Sequence, residues 1–187
     1  KEKYNDDEID LTGLFYKNEN SNKIVNRFHS RIIFPINNLT NDPIAFGGRV
    51  ISGDKIAKYI NSPETEFYKK GKILFNLDRA RNFRDKRDEV IVVEGYMDVI
   101  SLYENNIKNV IANSGTAFTE NQVELVWRFF SNPIISLDGD VSGQKAALRI
   151  AENTFPYISE NKNIYFASLP ISTDPDDFIK KNGREEF

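Results

Sequence analysis

From Val90 onward, short apolar runs alternate with stretches of helical spacing. The runs are VIVVEG (90–95), NVIANSG (109–115), PIISLDGD (133–140) and NIYFASLP (163–170), and the helical stretches fall at about 97–106, 119–130 and 142–155. Continuous apolar strands separated by helices of this length predict βαβ crossovers and a parallel sheet covered on both faces. Upstream, RIIFPI (31–36) and PIAFGGRVI (43–51) flank the turn-rich NNLTND and predict a hairpin, with Gly47 and Gly48 marking a bend or a close backbone approach. Ile73, Leu74, Leu77, Ala80 and Phe83 share a helical period, which predicts one helix over 72–87. The first thirty residues are polar, rich in Asn and Lys, and read as the tail of an upstream part with no complete element of its own. The fold class is therefore α/β: a parallel sheet with flanking helices, preceded by a basic annex of hairpin and helix. The expected division is 1–88 for the annex and 89–187 for the sheet domain.

At 187 residues, 40% hydrophobic and 28% charged, the chain has the composition of a globular protein with one sizeable core. It contains no cysteine and a single histidine, His29, which excludes disulfides and thiolate or histidine-rich zinc sites. No run approaches a membrane span, KEKYNDDEID has no signal-peptide core, and a cytoplasmic location is expected. The net charge of -3 argues against coating nucleic acid by bulk charge, yet the signs are segregated. Lys and Arg gather between Lys55 and Arg87, while carboxylates bunch at 138–140 and 174–177.

In an open parallel sheet, ligands collect outside the carboxyl ends of the strands. Glu94 follows VIVV, and Asp138 with Asp140 follows IISL, so the three can converge although 44 positions separate Glu94 from Asp138. Such a set supplies the hard oxygen ligands that suit magnesium or manganese and leave positions for phosphate. Each acid alone fits a turn or a helix N-cap, and Asp140, before VSGQKAALRIA, suits that second role. Asp98 lies one helical turn beyond Glu94 and is read as a support. Asp174, Asp176 and Asp177 in STDPDDF either start a helix or add a second metal position. NSGT (113–116) is a candidate phosphate loop or a plain βα turn, and His29 and Trp127 read as structural.

EGYMD (94–98), DGD (138–140) and DPD (174–176), each after a strand, resemble the toprim domain shared by primases, topoisomerases and some nucleases. With RIIFPI, FGGRV, KYINSPET (58–65) and KKGKILFNL (69–77) upstream, the chain resembles the bacterial replicative DNA primases from about residue 11 to the end. It reads AKY at 57–59 where that family often reads PKY.

The resemblance implies a Rossmann-like toprim fold and a primase catalytic-core fragment that makes RNA primers from ribonucleoside triphosphates on single-stranded DNA. It implies catalytic and metal roles for Glu94, Asp138 and Asp140, metal roles for Asp176, Asp98 and Asp174, and magnesium as cofactor with manganese as substitute. Arg27, Arg31, Arg49, Lys58, Lys70 and Lys72 then meet template and nucleotide phosphates. Zinc belongs to an N-terminal domain not in this sequence. Contacts with the replicative helicase and single-strand-binding protein at the replication fork belong likewise to absent parts, and no membrane is involved. Rival readings are a toprim nuclease using the same metals and a non-catalytic DNA-binding toprim protein.

Overall fold

The computed structural model describes residues 3–19, 21–52, 57–113 and 118–187, with the side chains of Asp6 and Asp10 not described. Of NSGT, residues 114–116 lie outside the described set. The chain forms two compact units, Lys1–Lys69 and Lys70–Phe187.

The first unit begins with helix α1 (Asp6–Leu11) and the antiparallel pair β1 (Phe15–Lys17) and β2 (Ile24–Asn26). The described part of the first thirty residues thus contains complete elements, against expectation. Asn5 and Glu8 cap α1 reciprocally, Asn5 N donating to Glu8 Oε2 at 2.9 Å and Glu8 N to Asn5 Oδ1 at 2.8 Å. Phe28 is buried and meets Phe46 edge-on, with ring centres 6.2 Å apart.

The expected hairpin is β3 (Arg31–Asn37) against β4 (Pro43–Val50), and β5 (Tyr59–Asn61) pairs with the other side of β4. In its turn, Asn38 Oδ1 accepts from the backbone N–H of both Thr40 and Asp42, each at 2.9 Å. Gly47 and Gly48 lie in regular pairing, so no bend occurs there; the irregularity falls at Ile36/Asn37. The close approach at Gly48 is real but comes from a side chain: a Cβ there would lie 2.8 Å from the Phe28 ring.

The second unit holds a parallel sheet of β6 (Glu89–Val93), β7 (Val110–Ala112), β8 (Asn132–Ser136) and β9 (Tyr165–Ala167), in the order β7-β6-β8-β9. Its helices are α2 (Leu77–Ala80), α3 (Tyr96–Glu104), α4 (Glu120–Trp127), α5 (Val141–Thr154) and α6 (Pro175–Asn182). Val93, Val99, Leu102, Val110, Ala112 and Ile179 form the core where α3 and α6 meet the sheet. Alternation turns Val90, Val92 and Ile111, all buried, to the opposite face.

Two expectations fail here. The single helix over 72–87 is a 3-10 turn at Lys70–Lys72, the one-turn α2, and a second 3-10 turn at Arg81–Phe83. The cause is long-range: Phe75 pairs with Ala112 on the outer edge of β7, donating at 2.9 Å and accepting at 3.2 Å. Asn76 then takes a left-handed conformation, φ 67°, before α2 can start. The sheet is also not covered throughout, since all three residues of β9 are exposed.

Trp127 is half-buried and donates from Nε1 to the Asn163 carbonyl at 2.9 Å, while His29 Nδ1 lies 2.9 Å from Ser30 Oγ on the surface. Among the described residues, no helix is long and apolar enough to cross a membrane.

Candidate metal centre and nucleic-acid interface

The strand order fixes where a ligand can bind. The chain leaves β6 for β7 on one side, then crosses back to β8 on the other, so β6 and β8 lie side by side at the reversal point. In such sheets the crevice opens at the carboxyl ends of that pair. Glu94 directly follows β6 and Asp138 lies two residues past β8, and Asp138 N donates to Glu94 Oε1 at 3.4 Å. Asp138, Gly139, Asp140 and Asp174 line one open cleft of about 250 Å³.

The DGD turn depends on its glycine. Gly139 N donates to the Thr173 carbonyl at 2.9 Å, and a Cβ on Gly139 would lie 2.1 Å from the Pro170 carbonyl oxygen. Gly143, in the first turn of α5, packs as tightly, its Cβ position lying 2.0 Å from the Asp138 carbonyl oxygen. These two glycines set the spacing of Asp138 and Asp140, and the reading of the acids overlooked them. Gly139→Ala is expected to lower stability by about 1–3 kcal/mol, a drop of roughly 2–12 °C in the thermal midpoint. An unchanged midpoint would show that the 170–173 turn yields without cost.

Asp140 caps α5, its Oδ1 accepting from Gly143 N at 2.7 Å, so the capping role foreseen for it is present. Asp174 caps α6 in the same way, accepting from Asp177 N at 2.7 Å. Asp98 is buried, and its Oδ2 accepts from Gly95 N at 2.9 Å at the start of α3. Asp176, in the first turn of α6, is bound from α3 and from its own helix: Ser101 Oγ donates to its Oδ1, and Lys180 Nζ lies 2.7 Å away. Asp177 joins Asp174 and Asp176 in a group whose carboxylate oxygens can all lie within 4.8 Å of one another.

The electrostatics tie these acids into one system. Burial, then the charges of Glu94, Asp174 and Asp140, push the Asp138 carboxyl up to about 6. Burial pushes Asp98 up to about 7, against its Gly95 hydrogen bond and with the charges of Asp174, Asp138 and Asp176 adding to it. Among the described residues no Lys or Arg forms an ion pair with Glu94, Asp138 or Asp140. Converging hard oxygens whose mutual repulsion is unrelieved fit a divalent cation.

The basic residues divide between the units, with Arg27, Arg31, Arg49 and Lys58 in the first and Lys70 and Lys72 in the second. Arg27 donates from Nε to the Gly13 carbonyl at 2.8 Å and lies over the Tyr16 ring. Arg31 donates to the Ala57 carbonyl at 2.8 Å, so both guanidiniums already hold backbone. Arg49 and Lys58 flank the exposed ring of Tyr59, their charges 6.0 and 5.7 Å from its centre. Tyr59, not among the expected site residues, adds an aromatic face between two cations; an aromatic next to Lys in AKY is its only signal in the sequence. Lys70 and Lys72 sit on a turn tied to α4, where Gln122 Nε2 donates to the Lys70 carbonyl at 2.9 Å and Thr119 Oγ1 to Gly71 at 2.6 Å.

Residues 88–167 match the model of the Toprim domain, the class to which this sheet and its acidic edge belong. Residues 1–81 match the N-terminal domain of the DNA primase catalytic core. The chain belongs to the DNA primase catalytic-core family.

The DNA primase of Pseudomonas aeruginosa is 41% identical over 175 residues, spanning 94% of this chain. The chain spans only 26% of that relative's length. A crystal structure of a DNA primase domain from the same organism superposes with a TM-score of 0.88 at 39% identity, covering 95% of this chain and 55% of that one. A primase catalytic domain bound to single-stranded DNA superposes with a TM-score of 0.88 at 35% identity, covering 96% of this chain and 56% of that one.

Proposed function

We propose that this chain supplies the metal-binding half of a DNA primase active site, which joins ribonucleoside triphosphates on a single-stranded DNA template. The observation that carries the reading is the union, in one chain, of the primase-specific N-terminal match with an acidic toprim edge that retains Glu94, Asp138 and Asp140. The first excludes a generic toprim nuclease as the better reading, and the second disfavours a non-catalytic DNA-binding protein. We place the functional boundary at 88/89, just before β6, although residues 70–88 pack within the sheet unit.

Glu94, Asp138 and Asp140 would hold magnesium, with manganese able to replace it, and Asp174, Asp176 and Asp98 stand around them. A bound ion supplies charge neutralisation at the transferred phosphate and activation of the attacking 3′-hydroxyl. The chain's own part is to converge the carboxylates, keep Asp140 and Asp174 fixed as helix caps, and hold Asp98 buried behind the site. Pyrophosphate is the leaving group, and no side chain acts as nucleophile.

Arg49, Lys58, Lys70 and Lys72 contact phosphate, and Tyr59 offers a ring on which a base can stack whatever its identity. Arg27 and Arg31 contribute charge while anchored to backbone. Contacts with helicase and single-strand-binding protein belong to other parts of the full polypeptide.

The direct test is a chimera in which residues 1–187 replace the matched segment of the Pseudomonas aeruginosa primase. Given template, ribonucleotides and manganese, it is expected to make RNA longer than a dinucleotide. Shortened input DNA would favour the nuclease, and binding with no product the non-catalytic protein. The chain by itself should prime poorly, since the relatives extend well beyond it. Lys58→Ala or Arg49→Ala is expected to weaken single-strand binding irrespective of sequence and to lower the log–log salt slope by about 0.7 each, one phosphate contact on a single strand. An unchanged slope would place these residues off the DNA path.

A further inference from the structure

Asp176 stands in the first turn of α6 with both carboxylate oxygens engaged. Ser101 Oγ, from α3, donates to Oδ1, and Lys180 Nζ lies 2.7 Å from each oxygen. These two contacts differ in kind. Ser101 is buried in the middle of α3, out of reach of water. The Lys180 side chain is 56% exposed, on a flexible stem that water can reach, whereas that of Asp176 is only 18% exposed.

The surrounding charge is one-sided. Asp174 and Asp177 can each bring an oxygen within 4.8 Å of Asp176, so one ammonium serves a group of three carboxylates. At the neighbouring position the situation is reversed: Glu94, Asp138 and Asp140 have no Lys or Arg ion pair among the described residues. The two halves of the acidic edge therefore start from different states, one partly neutralised by an ammonium and one not.

We propose that Lys180 is a displaceable counter-cation, which neutralises Asp176 within the Asp174, Asp176 and Asp177 group when metal is absent and competes with a divalent ion for it. This rests on the metal reading given above. A metal entering at Asp176 has to displace the ammonium, whereas one entering at Glu94 and Asp138 relieves an existing repulsion. The two positions consequently fill in order, Glu94 and Asp138 first, Asp176 later and more weakly. Ser101 keeps the Asp176 carboxylate oriented through the exchange, because its hydroxyl bond survives when the ammonium swings out.

The test is a manganese titration of the chain at low ionic strength, following free ion by electron paramagnetic resonance, with thermal melts to confirm folding. Lys180→Met keeps the stem and removes the charge, and Lys180→Gln is a second neutral variant. Both are expected to bind the weaker equivalent about three- to tenfold more tightly than the parent, the range for losing a partly screened ion pair and its repulsion of the metal. Lys180→Arg, which preserves the pair, should behave as the parent, and adding Asp176→Asn to Lys180→Met should abolish the gain. If the neutral variants bind manganese as the parent does while Glu94→Gln removes the tighter equivalent, Lys180 is only a surface pair of α6; the inference fails and the metal reading stands. If the parent binds no manganese, or binds it independently of Glu94, both fail.

Discussion

Glu94→Gln in the chimera is expected to reduce primer synthesis at least a hundredfold while changing single-stranded DNA affinity less than about twofold. Substitutions that only touch the partners of metal ligands cost about 10–100-fold, so loss of a direct ligand should cost at least as much as the upper end. Glutamine keeps the size and one carbonyl oxygen, and the Asp138 N–H can still be met, so the fold should survive. DNA affinity is assigned to other residues, Arg49, Lys58, Lys70 and Lys72. Filter binding and primer extension on one preparation separate the two quantities. A parallel loss of DNA affinity would mean that Glu94 acts through the fold or that metal bridges the DNA itself.

The second large effect is on stability and needs no substrate. In chelator, Asp138→Asn should melt above the parent, because Asp138 faces Glu94, Asp174 and Asp140 without a countercharge. Manganese at a hundred times its Kd should stabilise the parent by about 2.7 kcal/mol, a rise of roughly 5–11 °C for a chain of this size. The variant should gain little.

The pH dependence follows with a definite sign. Both Asp138 and Asp98 have folded-state values raised, to about 6 and about 7, above the ordinary aspartate value of 3.8. Between about pH 4 and pH 7 the folded state therefore holds more protons than the unfolded one, and this contribution to stability falls as pH rises. Asp138→Asn should flatten the lower part of that fall and leave most of the part near pH 7, which belongs to Asp98 and is raised chiefly by burial, with Asp138 a smaller cause. A destabilised Asp138→Asn that keeps the full manganese shift would make Asp138 a turn residue and overturn the metal assignment.

The alternation of strands and helices was legible because each buried strand is a short apolar run, and because the acids follow those runs directly. What stayed hidden depends on residues far apart in the chain. Leu74 and Leu77 do face a core, but pairing of Phe75 with Ala112, 37 positions on, breaks the helix that their spacing predicts. The need for glycine at 139 arises from Pro170, and the orientation of Asp176 from Ser101, 75 positions earlier. Lys180 was within reach, since an acid and a lysine four apart on a helix are expected to meet. The basic residues were found by resemblance, and only the structure separates Arg31, bound to the Ala57 carbonyl, from Lys58 beside Tyr59.

The pairing of Phe75 with Ala112 also bears on edge-to-edge association of the sheet. A sheet edge with free N–H and C=O groups is a template on which another chain can grow. Here the β7 edge is closed at Ala112, where Phe75 engages both backbone groups. The opposite edge, β9, is only three residues long, with Lys162 shortly before it and Pro170 shortly after. Three residues present too few hydrogen bonds to anchor an incoming strand, and the charge and the proline obstruct its extension. The sheet is thus protected against edge-to-edge polymerisation by two unlike means, a backbone plug on one side and brevity on the other.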